Sequence, residues 1–158
     1  MLHLNGMILE LVTFDRTFLD LSWDWLHDEE IGRLTMTPPF TREDQFRFFG
    51  NLPSRTDYRA WGVRLSGVGP IGAAGLKGIE GDRAEYWGYI GEKRWWGMGL
   101  GQAMVSAVEK EAQDVGIRHL TLSVSDRNRR AVRLYEKMGY RAFGLPAEPL
   151  VMEKDIGR

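Results

Sequence analysis

Two hydrophobic periods take turns along this chain, and their succession sets out an order of elements. Met7 to Val12 alternates as a strand does, whereas Phe14, Phe18, Leu21 and Trp25 recur at helical spacing and predict a helix over Phe14 to Trp25. A short helical patch follows near Asp28 to Leu34 and is broken at Thr37-Pro38-Pro39-Phe40; Thr41 and Asp44 then open a helix over Arg42 to Asn51. From Tyr58 the texture changes to strands, Tyr58 to Leu65, Pro70 to Glu80 and Arg83 to Glu92, separated by Ser66-Gly67-Val68-Gly69 and Glu80-Gly81-Asp82. Three strands in succession predict an antiparallel meander. Leu100, Ala103, Met104, Ala107, Val108, Ala112 and Val115 then share one face of a helix that begins near Met98 and stops at Gly116. His119 to Ser125 alternates again, Asp126 caps a helix over Arg127 to Met138 that ends at Gly139, and Tyr140 to Phe143 and Leu150 to Asp155 close the sheet. The order is that of a mixed α+β unit with a βαβ crossover around residues 92–101.

Length and composition bound what such a unit can do. With 158 residues, 43% of them hydrophobic and 27% charged, the chain predicts a single domain over residues 1–158. Lys and Arg total 21 against 22 Asp and Glu, so no basic excess points to nucleic acid. Cysteine is absent, which excludes a disulfide framework, a thiolate metal site and a cysteine nucleophile. No His, Asp and Glu cluster has metal-ligand spacing, and no metal is expected. No apolar stretch approaches a membrane span and no basic leader precedes one, so a cytoplasmic protein without membrane contact is expected, as a monomer or homodimer.

The candidate chemistry begins at Glu92-Lys93-Arg94-Trp95-Trp96-Gly97-Met98-Gly99-Leu100-Gly101. Glycines let backbone approach a ligand, and the unpaired amides at a helix start present N–H groups and the positive dipole end to an anion such as pyrophosphate. A Walker loop is excluded because Leu100-Gly101-Gln102 follows Gly99 in place of Gly-Lys-Ser/Thr. A dinucleotide fingerprint fails too, for want of its last glycine. By itself the run reads equally as a ligand-free turn. A second constellation adds to it: Asn128, Ala131 and Tyr135 stand at i, i+3 and i+7, with Asn128 and Tyr135 about 10 Å apart along one helix face. An amide and a phenol flanking an alanine suit an extended, amide-containing ligand arm, although Tyr135 alone reads more readily as core.

Together these residues resemble the GCN5-related N-acetyltransferase (GNAT) family. Its acyl-CoA loop, Gln/Arg-x-x-Gly-x-Gly/Ala, is met by Arg94-Trp95-Trp96-Gly97-Met98-Gly99 and, with glycines better placed against the helix, by Trp96-Gly97-Met98-Gly99-Leu100-Gly101. The later stretch from Asn128 through Ala131 to Leu134-Tyr135-Glu136-Lys137-Met138-Gly139-Tyr140 is similar to the family's second motif. The resemblance implies a mostly antiparallel mixed sheet of about six to seven strands, splayed between the fourth and fifth, with about four helices. It implies acetyl-CoA as co-substrate, held by Tyr89, Ile90, Gly91, Arg94, Trp96, Gly97, Met98, Gly99, Leu100, Gly101, Gln102, Asn128, Ala131 and Lys137. Tyr135 would protonate the leaving thiolate, and Glu85, at the head of the fourth strand, would take the amine proton through water. The implied acceptor is a primary amine of a small molecule such as an amino sugar, with a ribosomal-protein-like peptide N-terminus as the rival. A non-catalytic acyl-CoA sensor is the alternative from another class.

Overall fold

The computed structural model describes residues 3, 4 and 6–157, so residues 1, 2, 5 and 158 of the expected 1–158 unit lie outside the described residues. In chain order the elements are β1 His3–Leu4, β2 Met7–Thr13, α1 Arg16–His27, α2 Glu29–Leu34, α3 Arg42–Asn51, β3 Tyr58–Leu65, β4 Gly69–Glu80, β5 Arg83–Ile90, α4 Leu100–Asp114, β6 His119–Val124, α5 Arg129–Lys137, β7 Arg141–Ala142 and β8 Leu150–Asp155. They build one sheet in the order β1-β2-β3-β4-β5-β6-β8-β7. Every neighbouring pair is antiparallel except β5 and β6, which are parallel and joined by the α4 crossover. The architecture is the expected mixed α+β sheet; the two-residue β1 extends it to eight strands.

Among the described residues five helices flank the sheet, and local capping chemistry sets most of their boundaries. Asp15 accepts from the Thr17 and Phe18 amides and starts α1 at Arg16, two residues later than the apolar period suggests. Asp28, extended at φ −64° and ψ 129°, ends α1 and caps α2 through the Ile31 amide, making two helices of what would otherwise run on. Thr41 and Asp44 form the reciprocal capping box that opens α3. The cap of α5 is Asn128, whose side chain accepts from the Ala131 amide; the expected cap, Asp126, instead gives its N–H to Glu148.

Cores form on both faces of the sheet. On one, Leu76, Tyr86, Leu100, Val105, Val108, Leu120 and Met152 pack under α4 and α5. On the other, Phe14, Phe18, Leu19, Trp25 and Ala73 pack under α1 and α3. Glu109 on α4 locks the first layer by accepting from the Tyr140 hydroxyl at 2.8 Å and from Lys154 Nζ of β8 at 3.0 Å.

The strand pairing opens a gap between β5 and β6. They pair only where Arg83, Ala84 and Glu85 face His119, Leu120 and Thr121. Beyond that, β5 keeps β4 as partner as far as Ile90 and β6 keeps β8 as far as Val124, but the two no longer meet. Backbone polar groups along both inner edges are thereby left for something other than a strand.

Candidate active site

A cavity of about 1300 Å³ occupies this split and continues through it to the α1 and α3 face. One wall is β5 from Glu85 to Ile90; the opposite wall is Leu122 to Val124 with Asn128, Arg130, Ala131, Leu134 and Tyr135. The start of α4 forms its end. Of the residues expected around acetyl-CoA, Tyr89, Ile90, Trp96, Gly97, Gly99, Leu100, Gly101, Gln102, Asn128 and Ala131 line the cavity. Gly91, Arg94, Met98 and Lys137 are not among its lining residues. Arg94 lies over the Trp95 ring at 5.4 Å, and Met98 is an exposed hydrophobic residue. Gly91 is backed by Trp25 and gives its N–H to Ile71 O at 2.7 Å.

The glycines of the loop have two different reasons to be glycine. Gly97 and Gly99 are left-handed, at φ +77° and +79°, where a side chain is disfavoured by steric contact with the backbone. Gly99 is the N-cap, so α4 begins at Leu100 and not at Met98. Gly101 lies inside the helix, where a Cβ would sit 3.2 Å from Leu134 Cδ2 of α5, close enough that Leu134 would have to give slightly. No side chain caps α4, and its first backbone bond runs from Ala103 N–H to Gly99 O at 3.5 Å. The amides of Leu100, Gly101 and Gln102 therefore open onto the cavity with their hydrogen-bonding capacity unused, as a pyrophosphate requires. Trp96 anchors the loop from behind by donating its indole N–H to Ile90 O at 2.8 Å.

Asn128 uses Oδ1 as the α5 cap, at 3.3 Å from the Ala131 amide, which leaves its NH2 group as what it can offer to a ligand. Ala131 and Tyr135 pack against the α4-side core with their edges on the cavity. Burial pushes the Tyr135 phenol up to about 12, so it carries its proton throughout the physiological range. The sequence pattern does not point to a second phenol on this wall. Tyr86, 3% exposed, stands edge-on to Tyr135 at 6.4 Å, and its hydroxyl has no hydrogen-bond partner. Only its place on β5, two residues from the cavity-lining Gly88, could have pointed to it.

Glu85 is the last residue of β5 that pairs with β6, so it stands where the sheet divides. Its carboxylate is about one-third exposed and lies 3.6 Å from Lys77 Nζ on the neighbouring strand. The acceptor-side helices are tied to the loop. Trp25 donates to Glu92 Oε2 at 2.7 Å, and Lys93 Nζ reaches Asp28 at 3.0 Å and Glu30 at 2.9 Å. The Ile31 amide and then Lys93 hold the Asp28 carboxyl below its ordinary range. Lys93 is thus engaged with α2 and is not a free phosphate ligand. His27 packs against Trp23 and Phe40 with tilted rings, centroids at 3.9 and 4.8 Å, and is not itself among the residues lining the cavity.

A parallel pair that parts around a cleft, closed by a glycine-bounded helix start, is the architecture of an acetyltransferase. The chain belongs to the GNAT acetyltransferase family, whose model matches residues 19–140. No curated protein matches the chain. Among solved structures, the Vibrio cholerae spermidine N-acetyltransferase in complex with CoA and spermine superposes with a TM-score of 0.81 at 17% identity, covering 95% of this chain and 94% of that one. An aminoglycoside acetyltransferase in complex with coenzyme A gives 0.75 at 21% identity, covering 94% of each chain. The Escherichia coli ribosomal-protein-S18-alanine N-acetyltransferase gives 0.70 at 17%, covering 96% of each. At these identities the likeness establishes the fold. Among the described residues, no helix is long and apolar enough to cross a membrane.

Proposed function

We propose that this protein moves an acetyl group from acetyl-CoA directly to a primary amine. The observation that carries the reading is the unpaired segment of β5 and β6 ending on the free amides of α4, a cleft with one anion-binding end and a buried phenol along its wall. The two similar structures that contain CoA support a CoA ester as the ligand of such a cleft.

In this reading the amides of Leu100, Gly101 and Gln102 hold the pyrophosphate, and Arg130, whose side chain reaches the cavity beside Gly97, adds a positive charge. The inner edge of β5 from Gly88 to Ile90 and the Asn128 NH2 group bond the amide arm. The neutral amine attacks the thioester carbon: the C–N bond forms as the C–S bond breaks. Tyr135 gives its proton to the departing thiolate, and a water on Glu85 takes the proton lost by the amine, so each product leaves neutral. An alkylammonium has a pKa near about 10.4, so the amine first gives one proton to solvent to become neutral, and the water on Glu85 takes the second proton, released as the C–N bond forms.

Steady-state thiol release with Tyr135→Phe tests the assignment. The variant keeps the ring and the acetyl-CoA KM but lowers kcat by about tenfold or more, the loss expected for an absent general acid. An unchanged kcat removes Tyr135 from the reaction.

A further inference from the structure

Past the dividing point of the sheet, the cavity opens onto the α1 and α3 face, where the acceptor must wait. Its wall there is a run of aromatic rings in mutual contact. Phe14 meets Phe48 edge-on at 6.4 Å, Phe48 meets Tyr58 edge-on at 5.4 Å, and Tyr58 meets Trp87 at 5.9 Å. All four line the cavity, from the lead-in to α1, from α3, from β3 and from β5.

Most of the side-chain amide, hydroxyl and carboxylate groups that follow on the same wall are already answered by the protein. Gln45 Nε2 donates to Leu19 O and Ser22 Oγ at 2.8 and 2.9 Å, and its Oε1 accepts from Arg42. Thr35 Oγ1 bonds Ile31 O at 2.8 Å and Thr37 Oγ1 at 2.6 Å. Of the carboxylates that reach the cavity, Glu30 is held by Lys93 and Asp44 by the α3 capping box. Glu85, with Lys77 at 3.6 Å, is the most loosely held of the three. Trp87 Nε1 adds one buried unpartnered donor on this face.

Such a wall discriminates between amines. A polyhydroxylated acceptor would find few free partners on this wall, chiefly Trp87 Nε1, and would lose roughly fivefold or more in affinity for each hydroxyl that gives up water unpaired. A polyamine would bring several ammonium groups to a wall with one weakly held carboxylate. A flat apolar body, by contrast, gains the burial of a ring, worth about tenfold or more. Building on the acetyltransferase reading above, we propose that the acceptor is a small primary amine carried on a short chain from a flat, apolar, aromatic body. The ring packs on Phe48, Tyr58 and Trp87 and the amine reaches the dividing point at Glu85. The amino-sugar acceptor suggested by the sequence fits this wall less well.

The test compares 2-phenylethylamine, glucosamine, spermidine and a peptide with a free N-terminal alanine as acceptors in thiol release, with calorimetric titration of each into the CoA-loaded protein. The expected result is a kcat/KM for 2-phenylethylamine about tenfold or more above the others, with the same order in affinity. Phe48→Ala raises the KM for 2-phenylethylamine by about tenfold and leaves the acetyl-CoA KM unchanged. If loss of the ring impairs folding, Phe48→Leu replaces its flat face with an aliphatic group and raises the same KM in the same direction. Preference for glucosamine, spermidine or the peptide overturns the acceptor class while leaving acetyl transfer intact. Tight binding of 2-phenylethylamine without thiol release from any acceptor overturns the acetyltransferase reading and leaves the aromatic site standing.

Discussion

Alanine at Gly99 and alanine at Gly101 should behave as opposites, although the two glycines stand one residue apart in the same motif. Gly99 has φ +79° and ψ 5°, where a Cβ costs about 1–2 kcal/mol against the following carbonyl. That strain has two outlets. If the loop of the Gly99→Ala variant keeps its shape, stability falls by the whole amount; for a chain of this length Tm drops by about 2–4 °C per kcal/mol. If the loop relaxes when empty, stability is kept and the strain returns on binding, weakening CoA by about fivefold to thirtyfold. Gly101 has ordinary helical geometry, and its added methyl would meet only the mobile end of Leu134 at 3.2 Å. Replacing glycine in a helix gains about 1 kcal/mol of propensity, which offsets that contact. Thermal melts and calorimetric titration of CoA on both variants separate the cases. Gly99→Ala must lose stability, affinity or a share of each, while Gly101→Ala keeps both within about twofold. A Gly99→Ala protein that melts and binds like the parent would refute the link between the left-handed turn and the anion site.

Three other outcomes follow from buried groups and close contacts. Tyr86→Phe removes a buried hydroxyl that has no partner, so the variant gains about 1–3 kcal/mol and melts higher in a calorimetric scan; a lower Tm means the hydroxyl is hydrogen-bonded. Gly91→Ala would drive a Cβ into the Trp25 indole ring, forcing α1 off the end of β5. It should cost about 1–3 kcal/mol in denaturant titration, and an unchanged midpoint contradicts the packing. Tyr58 and Tyr135 each keep a proton up to about 12, against an ordinary 10.0, so the native state binds protons that the unfolded chain releases between those values. Their contribution is whole below pH 10.0 and is lost as pH rises towards 12; alkaline unfolding monitored by tyrosinate absorbance should show it, and stability unchanged across that window contradicts it.

Most of the fold was legible because burial in this chain follows regular periods. The α4 stripe from Leu100 to Ala112, the β6 alternation at Leu120, Leu122 and Val124, and the capping box at Thr41 and Asp44 are local signals that the tertiary structure reinforces. The starts of α1 and α5 were displaced by a side chain that chose a different backbone amide, whereas α4 starts late because Gly99 is left-handed and caps it without a side chain. Asp126 and Asn128 are both good caps by type, and Glu148, distant in sequence, claims the Asp126 amide and leaves the cap to Asn128. The cavity side was legible in its glycines and in the spacing of Asn128, Ala131 and Tyr135. Tyr86 was not legible, because a buried tyrosine on a strand reads as core until its hydroxyl is seen to lack a partner. The acceptor wall was hidden for a further reason. Phe14, Phe48, Tyr58 and Trp87 come from four separate elements, and no spacing along the chain brings them together.

Whether the split between β5 and β6 carries acetyl from CoA to nitrogen is decided most directly by mass spectrometry of amines incubated with the purified protein and acetyl-CoA. The expected result is one N-acetylated amine formed in step with free CoA, at a rate reduced about tenfold or more in Tyr135→Phe. Free CoA without an acetylated amine, or no product from any amine while acetyl-CoA binds, contradicts it.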